Sequence, residues 1–159
     1  MNKKNTLLLF LCLFCLWAVA QEKKPVKIAC VGNSITYGSG IKNQFQNSYP
    51  GLLSQLLGEG YDVRNFGISA RVMLNKGDHP YMHEQKFRDL LAFQPDIVTI
   101  KLGTNDSKPW NWHYGKDFGK DLTEMLDILQ DLPSKPKIYL CFPVPAVKRN
   151  FGINDSVIT

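Results

Sequence analysis

A chain of 159 residues with 44% hydrophobic and 21% charged side chains has room for one globular domain. That composition excludes intrinsic disorder, a collagen-like fibre and a multi-pass membrane protein. The formal charge of +5 is spread without a block of five or more like charges, so nucleic-acid binding has no support.

The first 20 residues stand apart from the rest. Lys3 and Lys4 precede an apolar run at 7–16, and Ala18-Val19-Ala20 has the small-x-small spacing that a signal peptidase accepts. The apolar stretch at 7–20 is 14 residues long. A helix that crosses a bilayer needs ~20, which favours cleavage over anchoring. The chain therefore reads as a signal peptide at 1–20, a short linker at 21–25 and a domain at 26–159, periplasmic or secreted, with no stable membrane span after cleavage. Neither Cys12 nor Cys15 follows the small residues of a lipoprotein signal. Removal of Lys3 and Lys4 lowers the net charge to +3, and Cys30 and Cys141 are too few to be a disulfide scaffold.

The domain alternates short apolar runs with amphipathic stretches. Residues 26–31 form a buried-strand pattern that stops at Gly32, followed by a Ser/Gly/Asn-rich turn at 32–40. Leu52, Leu53, Leu56 and Leu57 predict a helix over 49–57, with Pro50 in its first turn and Gly58 at its end. A second strand at 61–66 ends at Gly67. Phe87, Leu90 and Leu91 predict a second helix over 81–93. A third strand at 97–102 ends at Gly103, and Leu122, Met125, Leu126 and Leu129 predict a helix over 117–132. A fourth strand at 137–141 is closed by Pro143 and Pro145.

This β-α-β-α-β-α-β order predicts right-handed crossovers and an α/β fold whose parallel sheet carries helices on both faces. Such sheets bind ligands at the carboxyl ends of their strands. Gly32-Asn33-Ser34, Asn65-Phe66-Gly67 and Gly103-Thr104-Asn105-Asp106 occupy three of those ends. Each alone is an ordinary cap or turn. Together they offer a serine hydroxyl, a loop N–H and an amide NH₂ on one rim, the parts needed to hydrolyse an ester through an acyl-enzyme.

These blocks, with the first extended as Gly32-Asn33-Ser34-Ile35-Thr36-Tyr37-Gly38, resemble those of the SGNH, or GDSL-type, hydrolase family from Lys27 to about Pro145. The resemblance implies a flavodoxin-like α/β/α sandwich, Ser34 as nucleophile, and an oxyanion hole made by the N–H groups of Ser34 and Gly67 with the Asn105 side chain. Asn33 stands where the family frequently has Asp, a change found in its sugar-ester branch. The branch implied is that of bacterial sialate and xylan O-acetylesterases, with an acetylated glycan as substrate and no cofactor. A lipase or lysophospholipase, or a non-catalytic glycan-binding remnant, is the alternative.

The family's base and its orienting acid form an Asp-x-x-His block after a fifth strand. The three histidines here, His79, His83 and His113, are not preceded by Asp at that spacing. The expectation is therefore a chain lacking its last strand, base and closing helix, with Asn154 and Asp155 opening a helix that is not completed. In the implied strand order 2-1-3-4-5, the fourth strand becomes an exposed apolar edge. The first and fourth strands lie about 10 Å apart at ~4.8 Å per strand, so Cys30 and Cys141 are expected as free thiols.

Other candidate sites carry less. His79, His83 and Glu84 lack a third convergent ligand, so no metal is expected. Trp110 and Trp112 sit in an aromatic segment after the third block, equally suited to packing on the sheet or to facing a sugar ring. Residues 43–47 mix polar and aromatic character rather than forming an apolar acyl trough. No Gly-x-Ser-x-Gly elbow or phosphate-binding P-loop is present.

Overall fold

The computed structural model describes residues 24–145 and 150–158, so the signal-peptide reading at 1–20 lies outside the described residues. Four strands form one parallel sheet in the order β2-β1-β3-β4: β1 (Val26–Gly32), β2 (Tyr61–Gly67), β3 (Ile97–Lys101) and β4 (Lys137–Leu140). Three of the strands end within two residues of a glycine read from the sequence. Helix α1 (Ser34–Tyr37) is a single turn inside the 32–40 segment, α2 (Gln44–Asn47) is another, and α3 (Tyr49–Leu57) has the predicted bounds.

The alternation of side chains along a strand explains the layers. Ala29 and Val31 of β1 and Val98 and Ile100 of β3 point to one face. There they are buried with Phe87, Leu90 and Phe93 of α4 (Gln85–Phe93) and with Met125 and Leu129 of α6 (Phe118–Gln130). Cys30 and Thr99 point the other way, where Tyr49 of α3 bonds its hydroxyl to Thr99 Oγ1 at 2.9 Å. Burial pushes the Tyr49 hydroxyl and the Cys30 thiol up from their ordinary values.

The helix expected over 81–93 is two elements. Tyr81–His83 is a 3₁₀ turn, and Glu84 is extended at φ −80° and ψ 150° before α4 begins. At this break the Glu84 carboxylate pairs with Arg71, at 2.8 Å from Nη2 and 2.9 Å from Nε. Tyr81 is buried and donates its hydroxyl to Phe66 O at 2.6 Å. The apolar period therefore continues through a break in the backbone. Similarly, the helix expected over 117–132 is α6 preceded by a 3₁₀ turn at Gly115–Asp117.

Among the described residues β4 pairs with β3 on one side only, and Tyr139 and Leu140 are exposed while Ile138 packs on the core. Cys30 is buried, Cys141 is exposed, and both are free thiols. The interposed β3 keeps them apart. Asn154 and Asp155 do open a helix, the single turn α7 (Asp155–Ile158), whose Ile158 is buried. Among the described residues no helix is long and apolar enough to cross a membrane.

Candidate active site

Ser34 is the first residue of α1, separated from the end of β1 at Gly32 by Asn33 alone. Asn33 caps the helix: its Oδ1 accepts the Ile35 N–H at 3.0 Å, and Gly38 closes the turn in the left-handed region at φ 87°. Ser34 O accepts the N–H groups of both Gly38 and Ser39 at 2.9 Å, which fixes the serine's backbone. As the first helical residue it has an N–H without an intrahelical acceptor. The residue is half-buried, and its Oγ has no hydrogen-bond partner among the described residues.

The second turn is tied directly to α1. Asn65 Nδ2 donates to Thr36 O at 3.0 Å and Tyr37 O at 3.3 Å, while its Oδ1 accepts the Gly67 N–H at 2.9 Å. A Cβ on Gly67 would overlap Tyr37 N, so only glycine lets α1 approach this closely. The Gly67 N–H expected in an oxyanion hole is thus donated to Asn65, and reaching a substrate would mean surrendering that bond. Past Gly67 the chain turns sharply, with Ala70 in the left-handed region at φ 67°. Arg71 holds the turn by donating Nη1 to Ser69 O at 2.9 Å while pairing with Glu84.

The third turn begins at Gly103, whose φ of 107° favours glycine. Asn105 is buried and donates Nδ2 to Arg71 O at 3.1 Å, which leaves its second amide hydrogen available. Asp106 turns the other way. Its Oδ1 accepts the N–H groups of Met73 and Leu74, both at 2.8 Å, and its Oδ2 is buried without a partner. Burial raises the Asp106 carboxyl above its ordinary value, against the opposing hydrogen bonds from Leu74 and Met73.

A second strut, not read from the sequence, is Asn111 on α5 (Pro109–Trp112). It is buried, accepts the Asp78 N–H at 2.8 Å, and donates Nδ2 to Asn105 O at 3.0 Å and Asp78 Oδ1 at 3.1 Å. Asp106 and Asn111 together lock the 71–78 segment against the third turn. The partners of neither could be found from spacing, because a polar side chain does not name its partner.

Trp110 donates Nε1 to Asp78 Oδ2 at 3.1 Å, and the Lys108 ammonium lies 5.5 Å from its ring centroid. Trp112 packs against Phe118 with ring centroids 6.0 Å apart. Trp110 is 54% exposed and Trp112 38%, so each has one packed and one open side. The His113 ring lies edge-on to Tyr114, and none of His79, His83 and His113 hydrogen-bonds to Ser34 among the described residues. Among the described residues no group of three or more His, Cys, Asp or Glu is placed to hold a metal ion.

The model of the GDSL-like Lipase/Acylhydrolase family matches residues 30–157, from β1 to α7. The chain belongs to this family. The GDSL-like match takes in all three strand-end turns. An acetylxylan esterase of Xylanibacter ruminicola is 50% identical over 157 aligned positions, covering 88% of this chain and 33% of that protein. The chain thus spans about a third of that relative's length. Among solved structures, Est24, a carbohydrate acetylesterase from Sinorhizobium meliloti, superposes with a TM-score of 0.60 at 22% identity, over 76% of this chain and 65% of that one. AlinE4, an SGNH-hydrolase family esterase, superposes with a TM-score of 0.57 at 23% identity, over 85% and 66%. At such identities these two establish the fold: the α/β sheet of the SGNH hydrolases.

Proposed function

We propose that this protein is an exported serine esterase that removes O-acetyl groups from carbohydrates through an acyl-enzyme on Ser34. The observation that carries the reading is the unpartnered Ser34 Oγ at the sheet's carboxyl rim, with Asn105 held on the neighbouring strand end by its bond to Arg71 O. The acetylxylan esterase relative supports the acetyl group and the sugar, and the leader at 1–20 supports export.

In this reading Ser34 Oγ bonds to the ester carbonyl carbon and gives its proton to a base. The tetrahedral oxyanion receives the Ser34 N–H and the free Asn105 amide hydrogen. Collapse breaks the bond to the sugar oxygen, which leaves as an alcohol after taking up a proton. Water then attacks the acetyl group on Ser34, and acetate departs. The 159 residues contain no Asp-x-x-His, so imidazole in solution is a sensible proton acceptor for an assay.

Acetate release from an acetylated xylo-oligosaccharide, in imidazole buffer corrected for the free-buffer rate, tests the substrate. The expected result is saturable release that exceeds release from a long-chain acyl ester by ~10²-fold or more, since the side chains at the strand-end turns, Asn33, Asn65 and Asn105, are amides that suit a sugar. A preference for the long chain would replace this reading with a lipase-type acylhydrolase.

A further inference from the structure

A groove of about 760 Å³ opens on the far side of α1 from the third turn, along the free edge of β2. It runs between Gln44, Phe45 and Gln46 of α2, the start of α3, Arg64 and Asn65 of β2, and Lys86 of α4. Tyr37 of α1 also lines it. Residues i and i+3 of a helix share a face, with Cβ atoms about 5–6 Å apart, so the groove begins one turn from Ser34.

Its chemistry is one-sided. Among the described residues two cationic side chains line it and no acidic one does. Arg64 is paired with Asp62 at 2.8 Å, two residues away on the same strand, but Lys86 has no carboxylate within ion-pair distance among the described residues and meets only Gly67 O at 3.5 Å. Phe45 is 93% exposed over the groove, an unusual position for a phenyl ring with no packing role. Amide side chains supply the remaining polar surface. Flat rings beside hydroxyl-binding amides suit a sugar, and the Lys86 ammonium, unpaired in a groove without a lining carboxylate among the described residues, suits a carboxylate, while Arg64 is held by both oxygens of Asp62.

We propose that the groove is a binding subsite for a glycan chain carrying a carboxylate sugar, a uronic acid, which would hold the chain while an ester further along it reaches Ser34. Binding at the groove does not need the ester chemistry, although its link to Ser34 rests on the esterase reading above.

The test is a calorimetric titration of the full chain at low ionic strength. The probes are a xylo-oligosaccharide bearing a glucuronic acid branch, the neutral oligosaccharide of the same length, and free glucuronate. The branched probe should bind about tenfold or more tighter than the neutral one, and 0.5 M salt should erase most of the difference. Lys86→Gln should remove most of that discrimination. Phe45→Ala, at an exposed ring that the fold does not use, should weaken both oligosaccharides by about tenfold with no change in melting. Ser34→Ala should leave all three affinities unchanged, so loss of hydrolysis and loss of the subsite are read separately. Equal affinity for the branched and neutral probes, no binding of either, or binding of the branched probe unaffected by both groove variants would overturn the proposal. So would equal affinity for free glucuronate, which would make the site a simple anion contact.

Discussion

Asn105→Ala should lower the Ser34-dependent rate of acetyl ester hydrolysis by about 10²–10³, the usual effect of removing one oxyanion donor and equivalent to ~3–4 kcal/mol of transition-state stabilisation. The loss should fall on kcat and leave KM nearly unchanged, because charge on the carbonyl oxygen develops only after binding. The backbone of Asn105 would still accept from Asn111 Nδ2, so the third turn keeps that anchor. Arg71 O would lose one donor, a cost of about 1 kcal/mol in stability. A variant that melts much earlier and loses binding and turnover together would assign Asn105 to the scaffold. Steady-state kinetics and a thermal melt on the same preparation separate the two.

Asp106→Ala should destabilise the fold by about 3 kcal/mol or more, since it strands the buried N–H groups of Met73 and Leu74 in one step. Asp106→Asn should cost much less, about 1 kcal/mol, because an amide oxygen can accept both bonds without a buried charge. The two also differ in pH dependence. Burial raises the Asp106 carboxyl above the aspartate value of 3.8. A raised folded-state value means that the native state binds its proton more tightly than the unfolded chain. Stability from this group is therefore greatest below 3.8 and falls as pH rises through the raised value. Denaturant titrations at several pH values should show that fall in the parent chain and not in Asp106→Asn. Identical profiles would mean that Asp106 does not titrate within this window.

The two central strands, β1 and β3, could be read because a parallel sheet buries its inner strands on both faces, which makes each a short apolar run. Ala29 and Val31 meet α4 and α6, and Cys30 meets Tyr49, so no polar residue interrupts β1 after Lys27. Helix limits were less legible. Tyr81 and Met82 continue the apolar period of α4 because they pack on the same core, yet the helix breaks at Glu84, which pairs with Arg71, a partner that sequence spacing does not reveal. The site shows the same division. Ser34 and Asn105 could be picked out by residue type at strand ends, whereas the occupation of the Gly67 N–H by Asn65 depends on how closely α1 lies over β2. Asp106 stood out as part of the third block, but its bonds to Met73 and Leu74, like those of Asn111 to Asp78, depend on a distant segment that no local pattern names.

In the proposed reaction Ser34 Oγ is the group that takes the acyl group. Brief exposure of the chain to p-nitrophenyl acetate in imidazole buffer, followed by acid quenching, proteolysis and mass spectrometry of the peptide containing Ser34, tests it directly. An acetyl group should appear on Ser34 before steady state, decay when the ester is exhausted, and be missing from Ser34→Ala together with the imidazole-dependent turnover. Turnover that persists in Ser34→Ala, with acetyl found only on exposed lysines, would contradict this role for Ser34.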